Sequence, residues 1–239
     1  MKYIQASALF LMFIFCTSCK GQNKTDSPKD NIKFETKDIV SSPGSNEKFH
    51  TQYQYTDSNG KSLFIQNSFP RAEPYIDPKG REYAKAIFWT RIMNETDNPL
   101  ELKIDFSGEL YEFPLSVGSS VGNYFKIILP SDTMTRDKEA LYNYGLTDLD
   151  HFLANSIDKP SSLKRTIHSK ESSDFYVVRL SIKPKSGWPT VKEDRNIHRN
   201  SDYGTTRAGF SLKGQNLFYT LNGKEIRCGK INLNLKALK

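Results

Sequence analysis

The chain has 239 residues, 37% hydrophobic and 12% aromatic, enough to bury a core, while a mean hydropathy of −0.59 implies a strongly polar surface. Its three cysteines exclude a disulfide-dense scaffold, because Cys16 and Cys19 sit near the N-terminus and Cys228 stands alone in the body of the chain. The net charge of +7 is localised: residues 159–170 hold Lys159, Lys164, Arg165 and Lys170 without an acid, and residues 179–199 are also basic, which argues for a patch over a cationic coat.

At the N-terminus, Lys2 precedes an apolar run over residues 6–16. Its length of about eleven residues suits a signal-peptide core and falls short of the roughly 20 needed to span a membrane. Cys16-Thr17-Ser18-Cys19 sets small residues before a cysteine and resembles the lipobox of bacterial lipoproteins, with Cys16 in place of the usual aliphatic first residue. The resemblance implies a signal peptide over residues 1–18, acylation of Cys19 and attachment to a membrane through that lipid. An ordinary secretory signal is the competing reading. A zinc site is disfavoured because no CxxC or HxxxH partner exists elsewhere. Lys20 follows, where enteric lipoproteins retained in the inner membrane carry aspartate; this implies the outer membrane. Residues 19–48, rich in Lys, Asp, Ser, Asn and Pro, predict a flexible tether with a reach of about 30 Å.

From residue 49 onward the pattern is that of strands. FHTQYQYTDSNGKSLFIQNSF places two β-rich runs around Ser58-Asn59-Gly60, and Asn-Gly is the strongest short hairpin signal. YAKAIFWTRIM, residues 83–93, predicts a long strand with Ile87, Phe88, Trp89 and Ile92, and NETDNP predicts a turn after it. In LELKIDF, Leu100, Leu102, Ile104 and Phe106 alternate with Glu101, Lys103 and Asp105, so one face is core and the other solvent. YFKIIL, FYVVRLSI, AGFSLKG and LFYTL read the same way, and Asn222-Gly223 turns LFYTL back into EIRCGKINLNL.

One region breaks the β pattern. Residues 135–144 predict a short helix stopped by Gly145, and Thr147-Asp148-Leu149-Asp150 resembles a capping box before His151-Phe152-Leu153. Leu141, Tyr144, Leu149, Phe152 and Leu153 are expected to pack on the sheet. Roughly seven to ten strands with a helical insertion at about 133–154 predict an all-β fold, a β-sandwich over residues 49–239. The strand ending in Met93-Asn94-Glu95-Thr96, its neighbour LELKIDF and the later SKESSDFYVVRL resemble immunoglobulin-like domains of bacterial envelope proteins. That resemblance implies an immunoglobulin-like sandwich, although the Cys…Trp…Cys signature of antibody domains is absent.

Among candidates for chemistry, Gly118-Ser119-Ser120-Val121-Gly122 fits the G-x-S-x-G elbow of α/β-hydrolases. Ser120 would be the nucleophile of a serine hydrolase, with Asp148 or Asp150 and then His151 or His168 downstream. The elbow needs a helix after it, yet NYFKIILP reads as a strand, and a Gly/Ser turn accounts for the same residues. Asp148, Asp150 and His151 as metal ligands are outweighed by the preference of acids for a helix's first turn. Asp57-Ser58-Asn59-Gly60 lacks the later glycine and terminal Glu of a calcium loop. With no phosphate loop or dinucleotide fingerprint, no cofactor is expected. Asn94-Glu95-Thr96 has the form of a glycosylation sequon, and Cys228 reads as a small core residue.

The connection KPKSGWPTVKEDRNIHRNSDYGTTR is longer than compact domains normally carry. In it Lys185, Trp188, Lys192, Arg195, His198 and Arg199 set aromatics beside cations, which suits stacking on sugars and pairing with carboxylates or phosphates. The expected ligand is an anionic envelope component: lipopolysaccharide, peptidoglycan or an acidic protein surface. Nucleic acid is not expected in that compartment, and a solvated loop that only aids solubility is the competing reading. The sequence predicts a membrane-tethered, non-enzymatic binding or scaffold module.

Overall fold

The computed structural model describes residues 35–39, 49–57, 60–113, 123–182, 208–221 and 223–233. Pairing starts earlier than the expected boundary at residue 49: β1 (Glu35–Ile39) runs antiparallel to β2 (Thr51–Thr56). The expected hairpin follows, closed by Asp57, whose amide donates to the Lys61 carbonyl and whose Oδ1 accepts from the Lys61 amide, and β3 (Ser62–Asn67) returns along β2. β3 and β4 (Arg71–Ile76) share one edge of the long β5 (Glu82–Asn94). Between them Ser68 mends the ladder next to Pro70: its amide donates to the Trp89 carbonyl and its Oγ accepts from the Trp89 amide.

The remaining strands are β6 (Leu100–Phe106), β7 (Tyr111–Phe113), β8 (Asn123–Ile128), β9 (Ser161–Ile167), β10 (Ser172–Ile182), β11 (Ala208–Lys213), β12 (Asn216–Leu221) and β13 (Lys224–Leu233). One antiparallel sheet has the order β1-β2-β3-β5-β10-β8-β7, with β4 also on β5; the other has the order β11-β12-β13-β6-β9. Their inner faces share a core in which Ile65, Phe88 and Val177 meet Leu102, Phe210 and Tyr219. The all-β, sandwich-like expectation holds. The sheets are also joined at the β11 edge. There the amides of Ala208, Phe210 and Leu212 donate to His50 Nε2, Asn67 Oδ1 and Tyr55 OH at 3.2, 2.9 and 2.7 Å. Alternate amides on an edge strand would otherwise lack partners, so first-sheet side chains seal it.

At the end where β5 leads to β6 and β9 leads to β10, Asn94 ties the two crossovers together. Its Nδ2 donates to the carbonyls of Asn98, Ile167 and His168, and its Oδ1 accepts from Thr96. The Asn-x-Thr turn is therefore a buried clamp: Asn94 is fully buried, and its amide has no room to carry a glycan.

The first sheet is buried on its outer face as well, where Ile87, Trp89, Tyr176, Val178 and Leu180 form a second core under the insertion between β8 and β9. This is why Ile87-Phe88-Trp89 reads as an unbroken apolar run: successive residues point into different cores. The insertion departs from its expected form. In place of one helix over residues 135–144 there are short 3-10 turns at Arg136–Lys138 and Tyr142–Gly145, followed by α1 (Leu149–Ser156). Thr147 caps nothing; the N-cap is Asp148, in the left-handed region at φ 50° and without a side-chain cap bond. Tyr144, Leu149 and Leu153 are buried and Phe152 packs against them, but Leu141 points outward, 51% exposed. The chain turns with positive φ at Asn143, Tyr144 and Gly145, so the facing no longer follows a helical period.

Candidate functional site

Charged side chains of the first sheet fasten the insertion. Lys85 on β5 is buried and donates to Glu73 and Asp150 at 2.7 and 2.6 Å. Burial works against its charge, yet the bonds to Asp150 and Glu73 outweigh that and hold its pKa above the ordinary value. Three steps of the same face along, Arg91 joins Asp174 on β10 at 2.6 Å to Glu139 of the insertion at 2.7 Å, and its guanidinium lies 4.8 Å from the Trp89 ring centre. Burial again opposes the charge, and the bonds to Asp174 and Glu139 again prevail. Arg71 stacks on Tyr144 at 3.7 Å, and Tyr176 OH donates to the Tyr144 carbonyl. Together these contacts lock the positive-φ turn in place.

Beside the Arg91 network lies a cleft of about 350 Å³ between residues 133–136 and the β9–β10 crossover. Arg165, on the edge strand β9, turns inward and donates from Nη1 to Ser173 Oγ and the Asp174 carbonyl. Burial pulls its pKa below the ordinary value, and the nearby Asp174 charge offsets this only in part. Asp174 lines the same cleft. Its Oδ2 accepts from Arg91, while its buried Oδ1 has no hydrogen-bond partner.

A third feature spans the outer face of the second sheet. The register sets Lys213 opposite Asn216, Asn216 opposite Lys230, Lys230 opposite Lys103, and Lys103 opposite Lys164. With strands about 4.8 Å apart, this row crosses all five strands over roughly 19 Å. Lys213 pairs with Glu225 and Lys103 with Asp105, whereas Lys230 and Lys164 have no carboxylate at ion-pair distance among the described residues. Like charges directly opposite each other cost stability. The row therefore favours an anionic counterpart.

The residues singled out in the sequence fall elsewhere. Cys19, Ser120, Lys185, Trp188, Lys192, Arg195, His198 and Arg199 lie outside the described residues. The segment after the G-x-S-x-G match is the strand β8, where a nucleophile elbow needs a helix. Asp150 is engaged by Lys85, His151 is exposed on α1, and His168 sits in the β9–β10 turn. Among the described residues no three His, Cys, Asp or Glu side chains converge as a metal-holding group. The basic stretch 159–170 does not act as one patch: Lys164 faces outward, Arg165 faces inward and Lys170 pairs with Glu95 at 3.4 Å. Lys85, Arg91, Arg165 and Asp174 were not legible as a set. The one hint was a cation at each end of an apolar strand, Lys85 and Arg91, on the same face.

No protein family, curated protein or solved structure matches this chain. The residues alone carry the functional argument.

Proposed function

We propose that the protein is an envelope lipoprotein, anchored through the lipidated Cys19 to the outer membrane, whose β domain binds an acidic envelope glycan without catalysis. The lysine row on the second sheet is the observation that carries the ligand class: Lys103, Lys164 and Lys230 stand in cross-strand register on one exposed face. Their ammonium groups present point charges at strand spacing, suited to a chain of carboxylates or phosphates laid across the strands. The segment bearing Lys185, Trp188, Lys192, Arg195, His198 and Arg199, outside the described residues, would extend the same chemistry. The scaffold is read as an elaborated immunoglobulin-like sandwich, a reading supported by two antiparallel sheets on one core and by the Asn94 clamp at their crossovers. A serine hydrolase using Ser120 ranks below this reading, because the following strand suits a turn better than an elbow.

Full-length protein should be retained by immobilised polygalacturonate and released as salt rises, since screening shortens the reach of exposed charges to about 8 Å at physiological ionic strength. Changing Lys103, Lys164 and Lys230 together to Gln should weaken retention about tenfold or more, at roughly 0.5–1 kcal/mol per lost contact. Retention indifferent to both changes contradicts the reading. The anchor has its own test: Cys19→Ala should move the protein from the membrane fraction to the soluble envelope fraction, and continued membrane partition of that variant would exclude lipidation at Cys19.

A further inference from the structure

We propose that the cleft between residues 133–136 and the β9–β10 crossover binds a hydroxylated monocarboxylate, of the chemical class of a sugar acid, with its carboxylate on Arg165 and a ring hydroxyl donating to Asp174 Oδ1. This site stands on a different layer of observations from the lysine row and does not depend on it.

Arg165 is the anion-binding half. Both of its hydrogen bonds to protein leave from Nη1, and among the described residues no carboxylate lies at ion-pair distance from it. Its Nη2 and Nε are therefore free to form the two parallel bonds that a guanidinium makes to a carboxylate. The exposed Arg136 lines the same cleft and adds a second positive charge. Asp174 is the hydrogen-bond-accepting half. Its side chain is only 9% exposed, its Oδ2 receives Arg91 from both Nε and Nη2, and its Oδ1 has no donor. A buried oxygen left without a donor is costly, and such atoms are rare in native proteins. Because Arg91 already balances the Asp174 charge, Oδ1 lacks a hydrogen bond and not a second cation. Oδ1 is closed to solvent in this arrangement, so a small turn of the Asp174 side chain must bring it to the cleft wall; a neutral hydroxyl then meets its need, whereas an ammonium would add an unneeded charge beside Arg91, Arg165 and Arg136.

The rest of the lining agrees. Thr133, Thr135, Thr166, Ser172 and Ser173 offer hydroxyls that both donate and accept, and no aromatic ring is present for stacking. The volume, about 350 Å³, lies at the small end of ligand sites and admits one monosaccharide.

The test is a heteronuclear NMR titration of the full-length protein with glucuronate, acetate and glucose. Glucuronate should shift the amides of Ser172, Ser173 and Thr135 with an affinity near 1 mM. Acetate, which supplies charge without ring hydroxyls, and glucose, which supplies hydroxyls without charge, should each bind at least about tenfold more weakly. Arg165→Gln should cost glucuronate about tenfold or more. Because Arg165 also braces β10, the exposed Ser172→Trp, which fills the mouth of the cleft and leaves the Arg91–Asp174 pair alone, should abolish the shifts by itself. Equal binding of acetate and glucuronate would overturn the hydroxyl contact. The proposal also fails if glucuronate shifts no amide of the cleft, or if its affinity survives both variants.

Discussion

Cys228 shows how one residue's environment decides its chemistry. It occupies a bulge between Leu217–Gly229 and Phe218–Arg227 in the β12–β13 register, so its thiol turns into the inter-sheet core, where it contacts the Leu217 carbonyl at 3.5 Å. Burial pushes the thiol pKa up to about 12, and the thiolate is the reactive form. Gly229 beside it has no substitute: a Cβ there would lie 2.0 Å from the Lys103 carbonyl oxygen, so the bulge that buries Cys228 also lets β13 approach β6. Folded protein lacking the signal peptide and Cys19 should therefore label with maleimide at neutral pH far more slowly than the same protein in denaturant. Equal rates would mean that the terminal hairpin opens freely.

At the scale of elements, the insertion is held to the first sheet by charge as well as by its apolar face, and this makes its docking sensitive to acid. Asp158, just after α1, accepts from Lys126 on β8 at 2.8 Å and from Lys79 in the β4–β5 turn at 3.0 Å. Those hydrogen bonds hold its carboxyl well below the ordinary carboxylate range, against the opposing effect of burial. Near pH 3 the unfolded chain would bind a proton at this position and the folded chain would not. The stabilisation is then fully present above about pH 4 and declines as pH falls from there toward the lower folded value. Denaturant titrations should show stability falling below about pH 4, with a shallower fall in Asp158→Asn. An identical acid profile in that variant would show that the carboxylate is not linked to folding.

Which elements the sequence revealed follows from burial. β5, β6, β10, β12 and β13 carry apolar residues at period two or on both faces, and the Asn-Gly pairs at 59–60 and 222–223 mark in the sequence the breaks between β2 and β3 and between β12 and β13. β4 and β9 escaped notice because little in them is buried. β4 holds Pro74 and only Tyr75 is buried, while β9, an edge strand, alternates half-buried and exposed residues such as Lys164 and Thr166 up to the buried Ile167. Strand propensity in such segments comes from neighbours and not from their own composition.

For the whole molecule, the candidate sites depend on which strands become neighbours, and that information is not local. Lys103, Lys164, Lys213 and Lys230 belong to four strands, and their row exists because β6 inserts between β13 and β9. Likewise Arg91, Glu139, Arg165 and Asp174 meet only when the β9–β10 crossover and the insertion close on the first sheet. The sequence showed an excess of cations; the topology sorts them into an outward row, an inward arginine and ion pairs.

The central claim, that the outer face of the second sheet receives an acidic glycan, is tested most directly by lysine footprinting. The full-length protein would be acetylated with and without polygalacturonate at low salt, and each lysine's modification read by mass spectrometry. The account predicts strong protection of Lys103, Lys164 and Lys230, lost at high salt, with Lys138 on the insertion modified equally in both samples. Protection of Lys138 in place of the row, or uniform modification of all four lysines with and without glycan, would contradict it.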